Sequence, residues 1–149
     1  MKIGIVGLGR MGLSIAIRLK QAGHDVVGYD PAVKAAEISI VGSVQELAQA
    51  VRIFWFMVPA SVVDQTLASF EPYLQQGDVI VDGGNSFFKD TVRRSTALKD
   101  RGIAFIDCGT SGGLHGATHG YSLMIGGDKN IVDTLTPIFS ALAAPSGFA

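Results

Sequence analysis

Short apolar runs with few charges alternate along this chain with longer stretches whose apolar residues recur every three or four positions. The short runs predict strands at residues 2–6, 25–29, 52–58, 78–81, 103–107 and 122–125. The longer stretches predict helices. The first spans residues 10–21, with Met11, Ile15 and Leu19 on one face and Gly23 as its C-terminal cap. Pro31 suits the first turn of a short helix through Glu37, and Ser43 can cap another over residues 44–50. Further helices are expected at 61–74, bent at Pro72, at 88–100 and at 129–142. Strand-helix alternation of this kind predicts an α/β fold: a doubly wound, mostly parallel sheet with helices on both faces.

Composition narrows the class. A chain of 149 residues with 48% hydrophobic content is sized for one core. Residues 1–143 are read as one domain, and residues 144–149 as a boundary stub or linker beyond which a second domain has been cut away or never existed. A net charge of −1 gives no footprint for nucleic acid. No apolar run approaches the roughly 20 residues of a membrane span. The N-terminus enters a strand directly rather than a signal peptide, so cytoplasmic residence is expected. The single cysteine, Cys108, excludes an internal disulfide. The histidines and the cysteine show no metal-ligand spacing, so no metal is expected.

Chemistry concentrates where the first strand ends. Gly7, Gly9 and Gly12 follow it in G-x-G-x-x-G spacing, and Asp30 closes the second strand. The first glycine allows a tight turn, the second lets a pyrophosphate approach the backbone, and the third lets the next helix pack closely. The N–H groups and dipole of that helix point at the phosphates. The alternative for such a triplet is a bare strand-to-helix turn. Asp30 can accept hydrogen bonds from ribose hydroxyls, which favours NAD over NADP. Lys34, the nearest cation, lacks the bidentate fork of arginine, so NADP stays a secondary option.

In an open α/β sheet, ligands bind beyond the carboxyl ends of the strands. Three further loops are expected there: residues 57–60, 82–86 and 108–113. Asn85 carries a carboxamide that both donates and accepts. Ser111, Gly112 and Gly113 offer a hydroxyl and successive unhindered N–H groups, the composition of a nest for carboxylate or phosphate. Simple turns are the alternative reading of both glycine pairs.

The stretches 7–12, 57–60, 82–86, 109–113 and 122–127 together resemble the coenzyme-binding domain of 6-phosphogluconate dehydrogenase, nearest its shorter, often NAD-preferring branch. Asp82-Gly83-Gly84-Asn85 is the most specific element, because related β-hydroxyacid dehydrogenases usually differ there. The resemblance implies cofactor contacts from Gly7, Leu8, Gly9, Arg10, Met11, Gly12, Asp30, Pro31, Ala32, Val58, Pro59, Ala60 and Asn85. It implies contacts to a phosphorylated sugar acid from Asn85, Ser111, Gly112 and Gly113. The family's catalytic lysine, histidine-asparagine pair and general acid lie in a following helical domain, so no catalytic residue is assigned within these 149 positions. The segment between Pro31 and Val44 is shorter than the family's usual one.

Other reactive residues have plainer readings beside the chemical ones. His115 and His119 offer imidazoles just after the anion loop but read as solvated loop residues, and His24 lies away from the ligand edge. Cys108 reads as a small buried residue rather than a nucleophile. Asp82 and Asp107 can tie loops down as readily as move protons, and Lys89 fits a solvated first turn. Three functions stay open: a decarboxylating 6-phosphogluconate dehydrogenase domain, a domain of another β-hydroxyacid dehydrogenase, and a non-catalytic NAD-binding module. Ile131, Leu135, Ile138, Phe139 and Leu142 predict an apolar face on the last helix beyond what one sheet covers, hence weak homo-oligomerisation.

Overall fold

The computed structural model describes residues 1–34, 36–145 and 147–148. Among them, seven strands form one sheet: β1 (Lys2–Val6), β2 (Asp25–Tyr29), β3 (Ser39–Ile40), β4 (Ile53–Phe56), β5 (Val79–Asp82), β6 (Ala104–Ser111) and β7 (Ser122–Gly126). Their order is β3-β2-β1-β4-β5-β6-β7. All neighbours are parallel except β6 and β7, which run antiparallel. The helices are α1 (Arg10–Gln21), α2 (Val44–Ala50), α3 (Val63–Phe70), α4 (Phe88–Lys99), α5 (Gly113–His119), α6 (Lys129–Thr134) and α7 (Thr136–Leu142).

The period-two alternation of strand side chains sends neighbouring residues to opposite faces. In β4, Trp55 joins Ile3, Ile5 and Ile106 beneath Leu19 of α1 and Ile138, Phe139 and Leu142 of α7. Phe54 and Phe56 enter the other core, beneath Leu47 of α2, Leu67 and Phe70 of α3 and Leu98 of α4. The sheet is therefore covered on both faces, and this is the doubly wound α/β fold.

Two contacts tie the start of the chain to its end. The hydroxyls of Ser14 and the fully buried Tyr121 lie 2.6 Å apart. Arg18 donates from Nε to the carbonyl of Ala141 at 2.9 Å.

Four of the expected elements, β1, α1, β2 and α2, have the bounds predicted, and α2 is capped by Ser43, whose hydroxyl accepts the Glu46 N–H. The 52–58 and 78–81 strands are observed as Ile53–Phe56 and Val79–Asp82. The 61–74 helix is cut into a 3-10 turn at Ala60–Val62, α3, and a second 3-10 turn at Glu71–Tyr73 that holds Pro72.

Four expectations are corrected. The described residues of 31–37 form bends rather than a helix, and Ala35 lies outside the described residues. There Asp30 captures the Ala32 N–H at 2.8 Å, and a side-chain bond of this sort competes with helical pairing. The fifth strand does not stop at Asp107 but runs to Ser111, because β7 pairs with it from Asp107 to Ser111. The segment holding His115 and His119 is a helix, α5, which glycine-rich composition had hidden. The last helix breaks at Leu135, two residues before Pro137, which has no N–H to continue the helical ladder and sits instead in the first turn of α7.

The apolar face foreseen on that last helix is not exposed either. Leu135, Ile138, Phe139 and Leu142 are buried, and Ile131 packs partly buried against them. The exposed large apolar side chains lie elsewhere, including Phe87, Phe88, Val92 and Met124.

Candidate functional site

The glycine triplet divides its labour. Gly7 has φ +93°, and a Cβ there would lie 2.4 Å from the Met57 carbonyl oxygen. A Cβ on Gly12 would lie 1.9 Å from the Gly7 carbonyl oxygen, so α1 can sit this close to the turn only with glycine. Gly9 differs: a Cβ there meets nothing within 4 Å. The fold does not need a glycine at position 9, whereas a ligand lying against that backbone does. No side chain caps α1, whose first internal bond runs from the Leu13 N–H to the Gly9 carbonyl. The first-turn N–H groups before it have no helical acceptor and are free for an anion.

Asp30 sits at the end of β2 beside that turn. One carboxylate oxygen accepts the Leu8 N–H at 2.7 Å and the other accepts the Ala32 N–H at 2.8 Å. Each oxygen keeps lone-pair capacity for a further donor. A cleft of about 410 Å³ opens here, lined by Gly7, Tyr29, Asp30, Pro31, Val58 and Thr66, among others. It is a mostly apolar concavity with one carboxylate, which suits an adenosine. Leu8 is buried, while Arg10, Pro31 and Ala32 are exposed and Met11 half-buried. Lys34 is exposed and is not among the residues lining the cleft.

The remaining edge residues interlock. Gly84 lies against the 57–60 loop, where a Cβ would stand 2.6 Å from the Val58 carbonyl oxygen. Pro59 and Ala60 are exposed beside it. Asn85 takes the left-handed conformation, φ +55°. Its Oδ1 accepts the Thr110 N–H at 3.1 Å, and its Nδ2 donates to the Thr110 carbonyl at 3.4 Å. The carboxamide therefore clips onto the end of β6, immediately before Ser111. Ser111, Gly112 and Gly113 are exposed, with φ +146° at Gly112 and +50° at Gly113. The glycine loop, residues 57–60, Asn85 and residues 111–113 thus follow one another along one sheet edge. Thr110 was not singled out from sequence. Its signal was the alternation of Ile106, Cys108 and Thr110, which continues the strand past Asp107.

Beneath Asn85 lies a charged network. The Asp82 carboxylate is fully buried; it accepts the Gly84 N–H at 2.9 Å and the Ser86 hydroxyl at 2.5 Å. Arg94 of α4, 3% exposed, places Nη1 3.7 Å from Asp82 and donates from Nε to Asp64 at 2.8 Å. Hydrogen bonds from Arg94 and then Arg93 hold the Asp64 carboxyl well below its usual range. Asp107 pairs in register with Asp82 but has an unpartnered buried Oδ1. Burial, and secondarily Asp82, push its carboxyl up.

Of the other reactive groups, Cys108 is fully buried and its thiol is pushed up to about 12 by desolvation. His119 accepts or donates to Thr118 at 2.8 Å on exposed α5, with the His115 ring 6.3 Å away. His24 contacts the N-terminal amine at 3.0 Å, at the opposite end of β2 from Asp30. Lys89 is exposed in the first turn of α4. Among the described residues, no group of three or more His, Cys, Asp or Glu side chains is set to hold a metal ion. No described helix is long and apolar enough to cross a membrane.

Comparison with known proteins agrees with this geometry. The family model for the NAD binding domain of 6-phosphogluconate dehydrogenase matches residues 2–148. An NAD(+)-dependent, decarboxylating 6-phosphogluconate dehydrogenase of Haloferax volcanii is 44% identical over 99% of this chain and 52% of its own length. One of the same name from Bacillus subtilis is 36% identical over 97% of this chain and 34% of its length. The chain therefore spans about half, or less, of the curated relatives it matches. Among solved structures, Mycobacterium tuberculosis 3-hydroxyisobutyrate dehydrogenase superposes with a TM-score of 0.90 at 24% identity, over 99% of this chain and 53% of that one. Chains of this fold at 16% and 22% identity have been solved with NAD+ and with NADP+, so the fold alone leaves the cofactor open. The chain belongs to the family of NAD-binding domains of 6-phosphogluconate dehydrogenase.

Proposed function

We propose that this chain is the cofactor-binding part of a decarboxylating 6-phosphogluconate dehydrogenase that uses NAD and works in the cytoplasm. The observation that carries the reading is the Asn85 clip on Thr110, which sets the Asp82-Gly83-Gly84-Asn85 element beside Ser111, Gly112 and Gly113. The names of the relatives at 44% and 36% identity support the same substrate and cofactor.

In this reading residues 7–12 hold the pyrophosphate, with the Gly9 backbone as its closest approach. Asp30, Pro31 and Ala32 border the adenosine ribose, and Val58, Pro59 and Ala60 flank the path toward the nicotinamide. Asn85 retains one N–H and one oxygen lone pair beyond its Thr110 bonds, enough to touch cofactor and sugar acid together. Ser111, Gly112 and Gly113 bind the anionic substrate through a hydroxyl and backbone N–H groups. Bound NAD supplies the hydride acceptor. The reaction also needs a base for the substrate hydroxyl proton and an acid for the enediol left by loss of carbon dioxide. The resemblance implies that both come from a helical domain outside these residues, so the 149 residues taken alone are expected to bind without turnover.

Titration calorimetry with NAD, NADP and 6-phosphogluconate, followed by amide chemical-shift mapping, tests this. NAD is expected to bind more tightly than NADP. The sugar acid is expected to bind weakly, on the order of millimolar. Its shifts should fall on Asn85 and residues 111–113 when NAD is present. Shifts confined to the His24 end of the sheet would overturn the assignment.

A further inference from the structure

The buried guanidinium of Arg94 lies outside the contacts assigned to cofactor or substrate, yet its surroundings make a structural role alone an incomplete account. Joining α4 to α3 does not require it, because Arg93 already bonds Asp64 at 2.8 Å from the surface of the same helix. Holding a charge at 3% exposure is costly, and an apolar residue of similar volume would fill the space at less cost. What Arg94 alone reaches is Asp82.

Asp82 in turn is the anchor of the loop above it. Its two oxygens hold the Gly84 N–H and the Ser86 hydroxyl, one on each side of Asn85. That loop is tightly wedged: a Cβ on Gly83 would stand 2.4 Å from the Met57 sulfur and 2.7 Å from the Trp55 ring nitrogen. Asn85 itself sits at φ +55°, a left-handed conformation that asparagine tolerates better than most residues and that its neighbours here help to hold. Asp82 also faces Asp107 across the β5–β6 register. Without a cation nearby, the buried Asp82 carboxylate would stand opposite a second carboxyl group with nothing to balance its charge or hold it in place for its two ties.

We propose that Arg94 is a positioning residue: its guanidinium, 3.7 Å from Asp82, fixes that carboxylate in place and so holds Asn85 in the conformation that grips Thr110. The line of contact runs from Arg94 to Asp82, through Gly84 and Ser86 to Asn85, and on to Thr110 beside Ser111. Its consequence for sugar-acid binding rests on the function proposed above; its consequence for the loop does not.

The experiment reads both parts separately. Arg94→Met and Arg94→Lys are compared with the unaltered chain by amide hydrogen exchange and by titration with ADP-ribose, a probe of the adenosine half alone. In Arg94→Met, exchange at the Gly84 and Thr110 amides is expected to quicken about tenfold or more, while that at Val27 and Phe54 stays within about twofold. The Asn85 side-chain amide signals should move toward solvent-exposed positions, and ADP-ribose affinity should stay within about twofold. Arg94→Lys, retaining the charge, should recover most of the protection. Unchanged exchange at Gly84 and Thr110 in folded Arg94→Met would overturn the proposal, as would a uniform rise across the sheet. If Arg94→Met does not fold, Ser86→Ala removes one tie of Asp82 and should quicken the same two amides selectively; no change there would equally overturn it. Failure of the unaltered chain to bind ADP-ribose would count against the proposed function and leave the exchange result standing.

Discussion

Asp30 fastens Leu8: its carboxylate accepts the Leu8 N–H at 2.7 Å, so the residue expected to meet the ribose also holds the glycine loop in place. The two roles predict a particular failure. Exchanging Asp30→Asn with Pro31→Arg to favour NADP supplies a cation for the 2′-phosphate, but an amide holds one of the two N–H acceptor positions less well. Calorimetry should show NAD affinity falling about tenfold or more, in line with losing a charge-assisted hydrogen bond. NADP affinity should gain less than NAD loses. A clean reversal with full NADP affinity would show that the Leu8 bond is dispensable.

Gly9 and Gly12 separate folding from binding. Alanine at position 9 meets open space, so Gly9→Ala should keep stability within about 0.5 kcal/mol. Its methyl group would point into the space assigned to pyrophosphate, and NAD affinity should fall about tenfold or more. Gly12→Ala drives a Cβ against the Gly7 carbonyl oxygen and should cost about 3 kcal/mol or more. Denaturant midpoints and NAD titrations of the two variants provide the comparison.

Cys108 should be silent in the folded protein. With its thiol raised to about 12 and its side chain fully buried, the thiolate fraction at pH 8 is on the order of 10⁻⁴. Alkylation should therefore track unfolding, following the rate of global opening as denaturant is added. Fast modification in native buffer would contradict the burial.

Two carboxylates should tilt the pH dependence in opposite directions. Asp64 is held below its unfolded value of about 3.9, so its contribution is complete above that value and is lost as pH falls through the acid range. Being half-exposed, it is worth about 1 kcal/mol at most. Asp64→Asn should lower the melting temperature at pH 7 and cost progressively less below pH 4. Asp107 is raised, so the folded state holds its proton longer and loses relative stability as pH rises from about 4 through the raised value. Asp107→Asn should therefore be more favourable at pH 7 than at pH 4. Melting curves across that range decide both.

The dinucleotide half of the molecule was legible in sequence because its signals are local. Gly7, Gly9, Gly12 and Asp30 stand at fixed offsets from two strands of ordinary apolar pattern, and β1, α1 and β2 have the bounds their sequence predicts. The far side depends on partners distant in the chain. Residues 108–111 look like a loop because of Gly109, and only pairing with residues 122–126 makes them a strand. Helix α5 carries Gly116, where a Cβ would come within 2.1 Å of the Tyr121 ring, so that glycine reflects tertiary packing and weakens the local helical signal. Arg94 escaped notice for a similar reason: one arginine among α4's exposed charges gives no sign in sequence that it points inward.

The Ser14–Tyr121 and Arg18–Ala141 bonds have a consequence for when the molecule becomes competent. They fasten the helix that follows the glycine turn to segments more than a hundred positions later. Contacts of such separation are gained late, because the intervening loop must close before they form. During synthesis, β1, α1 and β2 can leave the ribosome with their local structure in place, yet α1 then lacks the cover that Tyr121 and α7 provide. The nucleotide-binding turn, although formed by residues 7–12, reaches its final packing only once residue 142 has emerged.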